Sequence, residues 1–252
     1  MVKDFQDALQ SNQFFIQLQP KFNVNTETIV GAEALVRWNH PTKGLLPPLQ
    51  FIPILEKHNL IKDLDMFVLA KVCEKLQDWK GHGIPLLPIS VNQSRIHLKN
   101  PSYVADLLSI VDSYGVDHCL LEFELTENIF LGNLDYLKEV VFSLRKMGFF
   151  VSIDDFGSFY SSLNMLKNIT VDYLKLDREF LVELENDIPS RKIIRGVIQL
   201  ANDLGILIVA EGVETKEQVE ILKELGCTIA QGFYYERPIA IESYEKLLLE
   251  VS

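Results

Sequence analysis

Cysteine is scarce in this chain, and so is positive charge. The three cysteines, Cys73, Cys119 and Cys227, lie far apart and are odd in number. That excludes a disulfide framework and a thiolate metal site, and each is read as a small core residue. The 24 Lys and Arg residues stand against 35 Asp and Glu, for a formal net charge of −11. Tracking along a nucleic-acid polymer needs a basic groove, so no such partner is expected. A small phosphorylated ligand stays compatible once metal ions reverse the local field. No apolar run approaches the roughly 18 to 20 residues of a membrane span. The opening residues, MVKDFQDALQ, hold no signal-peptide core. The expectation is a chain with no membrane segment in a cytoplasmic setting. Low-complexity tracts and Pro/Gly/Ser linkers are also missing, so residues 1–252 are expected to form a single domain.

What is present fits one large α/β unit. The length of 252 residues lies within the range of one α/β barrel. With 48% hydrophobic and 23% charged residues, the composition is that of a globular domain. Eight short segments, apolar and β-branched or aromatic, read as strands: 14–22, 28–38, 86–92, 120–126, 149–154, 171–177, 206–211 and 228–234. Stretches of helical periodicity lie between most of them, as at Leu60–Trp79, Leu137–Met147, Ser190–Leu204 and Glu217–Leu225. Alternation of this kind predicts a parallel sheet. The polar join Asn23–Thr28 is too short for a crossover helix, so the first two strands should run antiparallel. A TIM-like (β/α)8 barrel with its first strand antiparallel is the expected fold, since closure removes exposed edges.

Most of these strands run greasy and then place a polar group at or near the C-terminal end: Glu33, Asn92, Glu124, Asp154, Lys175, Glu211 and Gln231. In a parallel barrel those ends open onto one face, where active sites are built. Period-two alternation puts Ser90 with Asn92, Ser152 with Asp154, and Tyr173 with Lys175 on shared sides of their strands. Four acids crowded together repel one another and have raised pKa values unless divalent cations bind. Oxygen-rich ligation without cysteine or histidine points to Mg²⁺ or Mn²⁺ over Zn²⁺. The five histidines, His40, His58, His82, His97 and His118, occupy none of these positions and are given surface or packing roles.

At these residues the chain resembles the EAL family of cyclic di-GMP phosphodiesterases. The signature tripeptide is Glu33-Ala34-Leu35, within GAEALVRWNHP from Gly31 to Pro41. The similarity continues through PPLQFIPILE (Pro47–Glu56), SVNQS (Ser90–Ser94), EFELTE (Glu122–Glu127), IDDFGSFYSSL (Ile153–Leu163), YLKLD (Tyr173–Asp177), AEGVE (Ala210–Glu214) and GCTIAQGFYYERP (Gly226–Pro238). It covers about residues 14–240. The resemblance implies metal-dependent hydrolysis of cyclic di-GMP to linear pGpG. By the same carry-over, Glu33, Asn92, Glu124 and Asp154 ligate a first Mg²⁺ or Mn²⁺ ion, and Asp154 bridges to a second that Asp155 also holds. Lys175 orients the attacking water and stabilises charge, and Glu211 is the general base. Gln231 and Glu214 support the site and the ligand, while Arg37 and Gln19 contact the dinucleotide. Glu127 anchors the loop after Asp155, which in the family sits near a dimer interface. The implied partners are thus cyclic di-GMP, a second copy in a homodimer, and sensor or GGDEF domains of a longer parent protein. Two cations about 3.5 to 4 Å apart suit the attacking and leaving oxygens of an in-line displacement.

The family's loop reads DFGTGYSSL where this chain has DFGSFYSSL. Ser158 keeps the hydroxyl, but Phe159 replaces a glycine; should that position need φ > 0, the strain is about 1 to 3 kcal/mol. Plainer roles stand beside the functional ones: Arg37 as a rim residue paired with a carboxylate, Glu127 and Glu214 as loop anchors, and Lys175 as a salt-bridge partner of Asp154. The competing activities are a catalytically silent cyclic di-GMP receptor and a barrel aldolase using Lys175 as a Schiff base. The second is disfavoured because neighbouring acids keep an ammonium protonated. Asp155-Phe156-Gly157 matches a kinase tripeptide, yet no glycine-rich phosphate loop or HRD motif accompanies it.

Overall fold

The computed structural model describes residue 2 and residues 5–126, 134–157, 166–182, 184–185 and 187–250. Its strands in chain order are β1 (Phe14–Asn23), β2 (Ile29–His40), β3 (Gly44–Leu46), β4 (Ile89–Gln93), β5 (Leu121–Thr126), β6 (Phe150–Phe156), β7 (Tyr173–Leu176), β8 (Leu207–Glu211) and β9 (Ile229–Gln231). Neighbours run β1-β9-β8-β7-β6-β5-β4-β2, and β1 pairs again with β2, which closes an eight-stranded barrel. From β2 round to β9 each pairing is parallel, and β1 lies antiparallel to both of its neighbours. The expected fold is thereby met, reversed strand included. One element was not foreseen: β3 folds back on the far end of β2 as a hairpin. Three residues of strand are too few to show a period.

Helices such as Ile61–His82, Leu134–Lys146, Ile188–Asp203 and Lys216–Leu225 fill the crossovers. Their buried faces meet one side of the strands, where Val91, Phe123, Leu125, Val151, Ile153, Leu174 and Leu176 join the main apolar core. Alternation then turns the other set of side chains into the barrel. A TIM-type interior ordinarily holds layers of Val, Ile and Leu. Here the inward positions include Ser90, Glu122, Ser152 and Lys21, all buried. A second apolar cluster, built on Phe5, Phe14, Trp38, Phe51 and Leu64, packs over the outer half of β2. No helix of the described residues is long and apolar enough to cross a membrane.

Candidate active site at the barrel mouth

The ammonium of Lys175 on β7 is the meeting point of four strands. Its Nζ lies 2.7 Å from Glu124 Oε2 on β5, 2.8 Å from Glu211 Oε1 on β8, 3.3 Å from Asp154 Oδ1 on β6 and 3.5 Å from Glu33 Oε2 on β2. Glu33 is held further by Asn92 Nδ2, which donates to Oε1 at 2.9 Å, and by Gln231 Nε2, which donates to Oε2 at 2.8 Å. Gln231 also donates to Gln19 Oε1 at 3.0 Å, and Gln19 donates to the Glu236 carbonyl at 3.2 Å. Each of the eight barrel strands therefore supplies at least one polar side chain to one linked array. Closure of the sheet is what brings together residues scattered from 19 to 231.

The electrostatics follow from burial and like charge. Burial, then the Glu124 carboxylate, pushes Glu33 up to about 7. Glu211 is raised well above the usual carboxylate range by burial, and the pull of Lys175 offsets only part of that. Glu124 goes the other way: burial would raise it, but the Lys175 and Lys21 ammoniums outweigh that and hold it near 2. For Lys175 burial opposes the charge, yet Asp154, Glu124, Glu211 and Glu33 keep the ammonium protonated far above its ordinary range. A protonated lysine is no Schiff-base nucleophile. Asp155, half-buried, is raised to about 6 by burial and by the Asp154 and Asp177 carboxylates.

Local backbone geometry serves the array. Asp155 has φ 56°, an uncommon value for a non-glycine residue. It stands where the β6–β7 register slips between Ile153 and Phe156, and its N–H donates to Asp154 Oδ1 at 2.9 Å. Strain of this kind persists where surroundings over-determine it, commonly at sites. A Cβ on Gly232 would meet the Val213 backbone at 2.2 Å. Only glycine allows that approach, and through it Val213 N–H reaches the Gln231 carbonyl at 3.1 Å, strapping the ends of β8 and β9 together.

Three expected site positions fall outside the linked array. Arg37 donates from Nε to Gln17 Oε1 at 2.7 Å and from Nη1 to the Val36 carbonyl at 3.0 Å. Among the described residues no carboxylate forms an ion pair with it, and burial lowers its pKa while Glu33 partly restores it. Glu214 pairs with Arg178 Nη2 at 3.0 Å, both side chains exposed. Asp155 is beside the array but does not join the Lys175 contacts. Glu33 lies in the middle of β2 and not at its end, because the strand continues outward to pair with β3. Glu127, Ser158 and Phe159 lie outside the described residues.

Two members of the array escaped sequence reasoning. Lys21 Nζ stands 2.9 Å from Glu122 Oε2 and 3.3 Å from Glu124 Oε1, deep in the barrel. The period-two rule that paired Ser152 with Asp154 would have found both, since Lys21 follows Gln19 by two positions and Glu122 precedes Glu124 by two.

The donors suit a hard divalent cation. Glu33, Asn92, Glu124, Asp154 and Asp155 offer oxygen alone, with no thiol or imidazole among them. The Asn92 amide nitrogen is taken by Glu33, which leaves its Oδ1 for an ion. Four buried carboxylates, Glu33, Glu122, Glu124 and Asp154, and the half-buried Glu211 face two ammoniums, so positive charge is short. Among the described residues no three acidic, histidine or cysteine groups already stand as a metal-holding set. The reason is visible in the contacts: the carboxylates close on Lys175.

A family model described as "EAL domain" matches residues 2–238. Among curated proteins, the cyclic di-GMP phosphodiesterase NbdA of Pseudomonas aeruginosa is 35% identical over 248 residues, covering 98% of this chain and 32% of NbdA. The bifunctional diguanylate cyclase/cyclic di-GMP phosphodiesterase MucR of the same organism is 36% identical over 242 residues, covering 96% of this chain and 35% of MucR. The chain spans about a third of the length of such relatives. A solved structure described as "PaMucR Phosphodiesterase, c-di-GMP complex" superposes with a TM-score of 0.90 at 35% identity, covering 96% of this chain and 98% of that one. An EAL domain protein from Listeria monocytogenes superposes with a TM-score of 0.85 at 30% identity, covering 98% and 96%.

Proposed function

The chain belongs to the EAL domain family, and on that footing we propose that it hydrolyses one phosphodiester bond of cyclic di-GMP to give linear pGpG. The observation that carries the reading is the convergence of Glu33, Glu124, Asp154 and Glu211 on Lys175 at the barrel mouth. Glu33, Asn92, Glu124 and Asp154, with Asp155 beside them, would hold two Mg²⁺ or Mn²⁺ ions. When bound, these supply Lewis-acid polarisation of the phosphoryl oxygens and neutralise the charge that builds there.

The chain's own groups perform the rest. The Glu211 carboxylate, raised by burial, takes a proton from the attacking water as its oxygen bonds to phosphorus. The P–O3′ bond breaks, the 3′ oxygen gains a proton, and the phosphate stays on the 5′ oxygen, so the ring opens to pGpG. Lys175 donates to the water or to an equatorial oxygen; its ammonium is already aimed and needs little reorganisation. Gln231 and Asn92 fix both oxygens of Glu33. Arg37 and Gln19 are assigned to contacts with the dinucleotide, and Glu214 to support of the rim. Assembly as a homodimer, with further domains in a longer parent, belongs to the same proposal.

Incubation with cyclic di-GMP and Mn²⁺ or Mg²⁺, followed by separation of the nucleotides, tests the reading. Ion-dependent pGpG is the expected product. Tight binding of cyclic di-GMP with no pGpG under any divalent ion would replace the hydrolase with a receptor.

A further inference from the structure

Beneath the mouth lies a second buried charge pair that the proposed reaction does not use. Lys21 comes from β1, which among the eight described barrel strands runs antiparallel to its neighbours, so the residue after next from Gln19 points deeper into the barrel. Its side chain is 5% exposed. Glu122, at the same depth on β5, is equally covered and holds Lys21 Nζ at 2.9 Å. The ammonium also reaches Glu124 Oε1 at 3.3 Å, while Lys175 takes the other oxygen, Oε2, at 2.7 Å. Glu124 is thus gripped by one cation from below and one from the mouth, and it has no accessible surface.

Pairs of this kind are poor devices for stability. Removing two charges from water is expensive, and apolar replacements of similar volume are often neutral or stabilising. This pair is also incompletely satisfied: Glu122 Oε1 and the nearby inward Ser152 Oγ are buried with no hydrogen-bond partner. A layer that TIM-type barrels fill with aliphatic side chains has instead been given an ion pair aimed at one carboxylate.

Resting on the metal-dependent reading above, we propose that Lys21 is a positioning residue for the metal centre: it pins Glu124 Oε1 from below, so that Glu124 presents Oε2 alone to the mouth. Glu122 holds Lys21 in that post. Without Lys21, Glu124 turns both oxygens toward Lys175 and is lost as a fixed ligand. The inference has a sign opposite to plain charge counting. Deleting a positive charge beside a cation site should tighten binding by Coulomb attraction; deleting a positioning group should loosen it.

Mn²⁺ binding to the whole chain without nucleotide, followed by calorimetry or by the spin resonance of free Mn²⁺, tests this independently of turnover. Lys21→Met is expected to weaken Mn²⁺ binding about 10- to 100-fold, as loss of outer-shell support does elsewhere. Lys21→Arg, which keeps the charge, should recover most of it. Should Lys21→Met fail to fold, the double variant Lys21→Met/Glu122→Leu removes the pair without leaving an orphan charge, and it should bind Mn²⁺ as weakly. Unchanged or tighter binding in a folded variant overturns the proposal, and so does a double variant that cannot fold, since the pair is then structural. If the unaltered chain binds no Mn²⁺, the metal-dependent reading itself fails; if it binds Mn²⁺ but makes no pGpG, only the hydrolase reading does.

Discussion

Glu33 and Trp38 stand on the same strand, β2, and belong to opposite regimes. Around Trp38 everything gains from leaving water: Phe14 lies 4.6 Å away and Phe51 5.6 Å away, ring to ring, and the one polar atom, indole Nε1, donates to Gln13 at 3.1 Å. Around Glu33 burial is opposed at every atom, and the carboxyl is tolerated there because Asn92, Gln231 and Lys175 surround it. The strand spans a region that holds the fold together and a region that the fold must hold together. Stability and chemistry are thereby separated along one strand, and substitutions should sort by side.

The largest effect is expected in the mouth and on rate alone. Glu211→Gln removes the proposed base and should lower kcat by about 10²- to 10⁴-fold, with cyclic di-GMP binding retained and Tm unchanged or higher. A carboxylate whose burial is disfavoured adds nothing to stability by being charged. Near-normal kcat in steady-state assays would remove Glu211 from the chemistry. On the other side, Phe51→Ala empties a fully buried ring position and should cost about 3 to 5 kcal/mol in denaturant unfolding. Its kcat below the melt should match the parent's.

Lys175→Met tests whether the mouth is a site of latent instability. With its cation gone, Glu33, Asp154 and Glu211 lose their shared ammonium and Glu124 keeps only Lys21, and loss of one partner of a buried pair costs about 3 to 5 kcal/mol. Divalent ions should recover more stability in this variant than in Phe51→Ala, because they restore the missing charge. Equal recovery in both would mean that Lys175 does not hold the carboxylates together.

The ion-free chain should also show the difference in its pH profile. Glu33 sits at about 7 in the fold against an ordinary 4.5, so between those values the folded state keeps a proton that the unfolded chain has lost. Its contribution to stability is present below 4.5 and disappears as pH rises through about 7, with a slope of up to about 1.4 kcal/mol per pH unit. Glu124, held near 2, contributes the reverse slope between 2 and 4.5. Denaturant titrations in a chelator across pH 4 to 8 measure this. Glu33→Gln should make the upper window shallower, leaving the share of Asp155 and Glu211, which are raised as well, and Phe51→Ala should leave it intact; a profile that rises there would contradict the sign.

Much of this was legible before any coordinates. Parallel strands covered by helices read as apolar runs, which is why eight segments could be found, and the short polar join Asn23–Thr28 marked the reversed first strand. The convergence of Glu33, Asn92, Glu124, Asp154, Lys175, Glu211 and Gln231 followed from barrel closure alone. What stayed hidden had local causes. Arg37 donates to Gln17 on the outward extension of β2, and Glu214 pairs with Arg178, contacts that no strand pattern announces. Lys21 and Glu122 were hidden because a charge deep inside a barrel contradicts the expectation of an aliphatic layer, and only their mutual contact makes it tolerable.

The smallest effect belongs to the junction between the two regimes. Thr215 caps the helix Lys216–Leu225, just past Glu211: its Oγ1 accepts from Gln218 N–H at 3.1 Å, and the Gln218 side chain accepts from the N–H groups of Thr215 at 3.2 Å and Glu214 at 2.8 Å. Thr215→Ala breaks this reciprocal cap and should cost about 1 kcal/mol, or about 2 to 4 °C in Tm for a chain of this size. Rate should not change, because Glu211 is fixed by Lys175 and by its pairing with Gln231 on β9, neither of which runs through the cap. A fall in kcat alongside Tm would mean that the helix ends tune the mouth, and the separation between scaffold and site would no longer hold.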